Sequence, residues 1–345
     1  AVAGGLVPLA MAGDGGGSIR IPASYCGLFG LKPSRGRVPQ GPMHAEVWQG
    51  AVVEHALTRT VRDSAALLDA INGMDEGAPY PVRREQGYLA ALERPPEPLR
   101  VAVSMGDPLG DPLGTVLDPQ VRQAVEQAAR TLDSLGHHVE SVDPPVDGER
   151  LANAYLTLYL GHLTADLAWI ARETGVALSR LDIEPSTRAI ARLGHHLPVR
   201  DYELAKRDWN AAARAMGAFH RRYDMLLMPV AGAPSPRLGE LYPPASQERL
   251  MSLLAIPGLP ALALKAGMLK HLARDALART PFTQLANLTG QPAMSLPLHV
   301  TPDGLPVGVQ VIGAMGDERR LLALAAQVEA ATPWAQHLPR PIEGR

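Results

Sequence analysis

Ser18 closes a run of three glycines, with Asp14 immediately before the run and Arg20 two residues after the serine. A serine hydroxyl attacks a carbonyl carbon only where a base takes its proton and donors receive the charge that collects on oxygen. The backbone N–H groups of Gly15, Gly16, Gly17 and Ser18, unscreened by side chains, form a set of donors suited to a developing oxyanion. Read this way, the stretch supplies Ser18 as nucleophile, Gly15 to Ser18 as oxyanion hole, and Asp14 with Arg20 as a pair spaced to support the loop. Gly-Gly-Gly-Ser also describes a linker or a surface turn. The flank "SIRIPASYCGLFGL" is apolar and rich in small residues, which a solvated linker is not. A phosphate-binding loop would need Gly-Lys-Ser/Thr, and a dinucleotide fingerprint would need spaced glycines; neither is present.

Other residues could also carry chemistry. Glu46 and Trp48 in "GPMHAEVWQG", with Asn287 and Gln291 in "NLTGQPA", are candidates for lining a pocket, or equally for anchoring loops. Cys26, the only cysteine, follows a tyrosine in an apolar run and is expected to be a buried, inert thiol. It excludes an intrachain disulfide and a cysteine-based zinc site. The doublets His137-His138 and His195-His196 lack a ligating spacing, so no metal is expected. Met225 and Met228 read as core filling. Lysine occurs only at Lys32, Lys206, Lys265 and Lys270, so few groups could act as a neutral amine base.

The elements that must position these residues follow from hydrophobic periodicity. "TVRDSAALLDAING" reads as a helix capped by Thr60, with Asp63 three residues on and Gly73 at its end. "LRVAVSM", a helix over 118–135 closed by Gly136, and "HHVESVDPP" make a strand–helix–strand unit on a parallel sheet. Residues 149–224 are mostly helical, interrupted near Pro185 and Pro198, and "MLLMPVAG" is a buried strand. Residues 233–280 have poor periodicity and are expected to form a pocket wall or lid. Two strands joined at Pro302-Asp303-Gly304 precede a helix over 317–331, and a polar tail is expected from Pro333. The expectation is one domain over 1–332 with a tail over 333–345.

The chain has 345 residues and a formal net charge of −2, so no global field favours nucleic acid or an anionic membrane. No stretch is long and apolar enough to span a bilayer. A reducing, cytoplasmic setting fits the single thiol. "AVAGGLVPLAM" reads as the middle of a domain, and the sequence is expected to be part of a longer protein.

"GDGGGSIRIPASYCGLFGLKPSRGRVP" resembles the downstream half of the signature of the amidase signature family of serine hydrolases. "EHALTRTVRDSAALLDAING", "DEGAPY", "NLTGQPAMSLPL" and "DGLPVGVQVIG" agree with it. The resemblance implies an α/β fold with a central mixed β-sheet covered by α-helices, and amide hydrolysis through a Ser-Ser-Lys triad without a cofactor. It puts the nucleophile on Ser18 and the oxyanion donors on Gly15, Gly16, Gly17 and Ser18. It also puts a bridging serine and a lysine base before residue 1, so the chain alone is expected to be an incomplete enzyme. Lys32, in "GLKPS", matches a structural part of the signature. The implied partner is a small amide, linear or cyclic; monomer and homodimer are both open. Two further readings stay open. One is the glutaminase subunit of a tRNA-dependent amidotransferase, against which "HAEVWQGAVVEHALTR" stands where a Ser-Leu-Asp-Gln segment is usual. The other is a non-catalytic amide-binding chain.

Overall fold

Alternation of buried side chains along the strands decides the architecture. In the computed structural model, strands β4 (Arg100–Val103) and β6 (Met225–Pro229) send Val101, Val103, Met225 and Leu227 to one side and Ala102, Leu226 and Met228 to the other. Strands with two apolar faces need helices on both. The result is a three-layer α/β/α arrangement around one eight-stranded mixed sheet of order β1-β3-β2-β7-β8-β6-β4-β5. The remaining strands are β1 (Leu9–Asp14), β2 (Phe29–Lys32), β3 (Val53–Thr58), β5 (His138–Ser141), β7 (Ala293–Val300) and β8 (Pro306–Gly313). The structure describes residues 1–110, 115–242, 249, 251, 253–256, 258–268 and 277–337.

The strand–helix–strand unit forms as its pattern implies. β4 pairs in parallel with β5 through helix α3 (Pro119–Ser134), and β4 also pairs in parallel with β6. Asp118 caps α3 by accepting from the Gln120 N–H, and Gly136 leaves it with φ +91°. The other pairings are antiparallel, including β7 with β8 across the Pro302 turn.

One core joins α3, α2 (Val61–Ile71) and α9 (Glu318–Ala331) to the first sheet face. A second joins α4 (Gly148–Thr174), α6 (Val199–Phe219) and α8 (Gln284–Thr289) to the opposite face. Pro185 and Pro198 interrupt the helical region by starting new helices. Pro185 is the first residue of α5 (Pro185–Gly194), and Pro198 is the N-cap of α6, positions where a missing N–H costs nothing. A short helix, α7 (Leu259–Lys265), lies in the region expected to form a wall or lid.

Three expectations need correction. Helix α2 ends at Ile71 with extended Asn72 as its cap, whose side chain turns back to the Leu68 carbonyl, so Gly73 is not the terminator. The segment after Pro333 is not a free polar tail at its start. Trp334 is buried and donates its indole N–H to the Arg59 carbonyl. Residues 338–345 lie outside the described residues. Cys26, the last residue of α1 (Arg20–Cys26), is exposed rather than buried; the inward-facing residues of that helix are Arg20, Ala23 and Ser24. Met225 and Met228 are core residues as read. Among the described residues no helix is long and apolar enough to cross a membrane.

Candidate active site

Strand β1 carries Asp14 to its end, and the chain turns through Gly15, Gly16, Gly17 and Ser18 before α1 begins at Arg20. The Asp14 carboxylate organises this turn. Its Oδ1 accepts from the Gly17 N–H at 2.8 Å, and its Oδ2 accepts from the Ile19 N–H at 3.2 Å. Arg20 Nε and Nη2 donate to the same carboxylate at 3.0 and 2.8 Å. The other guanidinium donors reach the Thr283 carbonyl, Gln310 Oε1 and Asn287 Oδ1 at 2.9, 2.9 and 2.6 Å.

Neither side chain of the pair has any exposed surface. A buried ion pair offsets its desolvation only when its remaining donors and acceptors are filled, and here all five guanidinium N–H groups are. Burial alone would raise the Asp14 pKa. The Arg20 charge and the hydrogen bonds from Arg20 and Asn287 override it and hold the carboxyl at about 2.

Each glycine is required by a particular neighbour. A Cβ on Gly15 would lie 2.9 Å from Val52 and 3.4 Å from Trp48 Cε3. On Gly16 it would collide with the Tyr155 hydroxyl, and on Gly17, whose φ is +127°, with Thr283 Oγ1. The Thr283 hydroxyl also donates to the Gly16 carbonyl at 2.6 Å. Ser18 stands exposed at the end of this fixed loop.

The donor set differs from expectation in one respect. The Gly17 N–H is held by Asp14, so it is not available to an oxyanion. Among the described residues no hydrogen bond engages the N–H groups of Gly15, Gly16 or Ser18.

Asn287 and Gln291, weighed as pocket residues, are instead internal supports. Asn287, on α8, donates to the Asp14 carbonyl, Asp14 Oδ1 and the Ala51 carbonyl at 2.7, 2.9 and 3.0 Å. Gln291 accepts from the Thr289 hydroxyl and donates to the Gly313 carbonyl. Both are buried.

Lys32 is fully buried on β2 and donates to the Pro33 carbonyl at 2.9 Å. Burial first, and then the Arg20 charge, lower its pKa to about 7. No hydrogen bond joins it to Ser18 among the described residues. Lys206 pairs with Glu203 on the surface of α6. Lys270 lies outside the described residues.

Glu46 and Trp48 do line a cavity, of about 490 Å³, with His44, Val47, Gln49, His162, Asp166, Trp169 and Ile170. Trp48 and Gln49 hold left-handed backbone, with φ of 50° and 53°. Such conformations in residues other than glycine cost energy and gather at functional loops. Sequence reading missed the opposite wall. That wall is His162, Asp166 and Trp169 of α4; with Tyr155 and Tyr159, which do not line the cavity, they recur at alternating intervals of four and three and so share one face, a signal available in the sequence.

Comparison with known proteins agrees with this architecture. The Amidase family matches residues 1–268 and 249–322. AmiB2 of Mycobacterium tuberculosis is 37% identical over 341 residues, covering 98% of this chain and 64% of that protein. A 6-aminohexanoate-cyclic-dimer hydrolase of Pseudomonas sp. is 33% identical over 345 residues, covering 99% of this chain and 66% of that protein. The solved structure of 6-aminohexanoate cyclic dimer hydrolase complexed with substrate superposes with a TM-score of 0.81 at 31% identity, over 98% of this chain and 67% of that one. The chain thus spans about two thirds of the length of these relatives. With the family matching nearly its whole length and the fold shared with a solved hydrolase, this chain belongs to the Amidase family.

Proposed function

We propose that the protein hydrolyses a carboxamide C–N bond, with Ser18 as the nucleophile. The observation that carries this is the loop itself: an exposed hydroxyl beside the uncommitted N–H groups of Gly15, Gly16 and Ser18, on a turn locked by a buried ion pair. Ser18 gives up its proton as its Oγ bonds to the amide carbon. The carbonyl oxygen, turning anionic, is met by those donors, each worth about 3 kcal/mol of barrier. The tetrahedral species collapses, the C–N bond breaks, and the proton goes to the departing nitrogen. Water then cleaves the acyl ester. The proton carrier in this reading is the lysine–serine relay implied by the family resemblance, contributed from outside residues 1–345.

The glutaminase alternative fares less well. Where its segment would stand, this chain places Trp48 over Gly15.

Ser18→Ala in the whole protein tests the reading. Amide turnover is expected to fall by a factor of about 10³ or more with circular dichroism unchanged; near-normal turnover would remove Ser18 from the role. A serine-directed phosphonate should label the whole protein at Ser18, and label residues 1–345 alone far more slowly.

A further inference from the structure

The cavity beside Trp48 has a chemistry that amide hydrolysis by itself does not call for. Its lining is aromatic: Trp48 stacks on His162 at 6.0 Å, and His44 and Trp169 meet edge-on at 5.5 Å, while Tyr159 backs Trp48 edge-on at 5.5 Å. Two carboxylates, Glu46 and Asp166, line the same space, and no lysine or arginine does.

The carboxylates are positioned by neutral donors. The Tyr80 hydroxyl donates to Glu46 Oε2 at 2.6 Å, and the Trp48 indole N–H donates to Asp166 Oδ2 at 3.4 Å. The Arg35 guanidinium is near enough to Glu46 to feel its charge, but it does not line the cavity and its hydrogen bonds go elsewhere. It donates to the carbonyls of Gly50, Asn287 and Leu288 and stacks on Trp209. His162 donates no countercharge at neutral pH, since burial pushes its pKa down against the pull of Asp166 and Glu46. Tyr202 meets its Nε2 at 3.0 Å and receives a hydrogen bond from Gln49. Aromatic faces with adjacent carboxylates and no resident cation form a receptor for a positive charge.

The cavity also adjoins the reacting centre. One end of the Trp48 indole covers Gly15, and the other reaches Asp166. The left-handed backbone at Trp48 and Gln49 holds the ring in that bridging position.

We propose that this cavity is the specificity subsite of the enzyme and takes an ammonium group of the substrate. The amide would carry a cationic amine on an arm about one indole width from the scissile carbonyl. The word substrate rests on the reading of Ser18 above, but the cation site does not, and the experiment separates the two.

The test is a tryptophan-fluorescence titration of the whole protein with hexylammonium, 1-hexanol and hexanoate, which differ in charge at equal length. Hexylammonium is expected to bind about tenfold more tightly than the alcohol, with hexanoate weakest. Glu46→Gln keeps an acceptor for Tyr80, and Asp166→Asn keeps one for the Trp48 N–H. Each should weaken hexylammonium binding by about threefold to tenfold while leaving the alcohol unchanged. Equal affinity for the three probes, or a cation preference untouched in both variants, overturns the proposal. Repeating the titration in Ser18→Ala keeps the questions apart. A preserved cation preference upholds the site whatever Ser18→Ala does to turnover. A lost preference in the parent protein sinks the site even where Ser18 proves to be the nucleophile.

Discussion

At Asp14, one carboxylate serves three purposes: it neutralises Arg20, accepts the Gly17 N–H, and fixes the start of α1 through Ile19. Asp14→Ala would leave a guanidinium buried without a counter-charge. The expected cost is about 3–5 kcal/mol, read as a fall in the midpoint of urea unfolding. A cost under about 1 kcal/mol would mean that the pair does not hold the loop. The spacing of Asp14 and Arg20 suggested their pairing. Sequence spacing could not show that Gly17 would lose its N–H to that same carboxylate, because the outcome depends on the rotamer that Arg20 and Asn287 impose on Asp14. Nor could it place Asn287 there, since 273 residues separate it from Asp14.

At the scale of elements, local rules worked where the deciding contact is local. The Thr60 hydroxyl accepts from the Asp63 N–H at 3.1 Å and donates to the Asp63 carboxylate at 2.7 Å, so the cap read from four residues is the cap that forms. Thr60→Ala is expected to destabilise the protein by about 1 kcal/mol, measured by thermal or urea unfolding with turnover retained. Helix α4 shows the limit of the same approach. Its 27 residues carry one stripe with spacings of three and four that serves different neighbours along its length: Leu151, Ala154 and Leu158 enter the core, while His162, Asp166 and Trp169, further along the same face, line the cavity. Periodicity announces a helix; what each stretch of its face is for depends on what the fold brings opposite.

For the whole molecule, three buried groups tie stability to pH. Lys32 in the folded protein titrates near pH 7, against an ordinary value of 10.5. Between those values the unfolded chain binds more protons, so stability rises with pH from about 7 to about 10, and Lys32→Met should flatten that rise. His55, fully buried, is lowered by burial from 6.5 to about 4, against the opposing pull of the Ala56 and Ser64 backbone. The unfolded chain takes up that proton first, so stability falls as pH drops through this interval. Asp14 acts lower still. Its contribution is present above its ordinary value of 3.8 and is lost as pH falls toward about 2. Urea unfolding from pH 2 to pH 10 checks all three, and a flat profile above pH 7 would contradict the burial of a neutral Lys32.

The sequence by itself determined the glycine–serine loop, the ion pair spaced to support it, the strand–helix–strand unit and the helices over 118–135 and 317–331, while the mixed sheet came from the family resemblance. These rest on short-range sterics, capping and alternation, and on motifs close enough together to be read as one stretch. Only the tertiary structure decided which N–H groups stay free, why each glycine is bare, and that a wall from α4 meets Trp48 to enclose a cavity. Those outcomes depend on side chains from segments more than a hundred residues apart, such as Trp48 with Asp166 and Gly16 with Thr283, meeting within a few ångströms. No local pattern encodes such a meeting, because it is fixed only when both sheet faces have been covered.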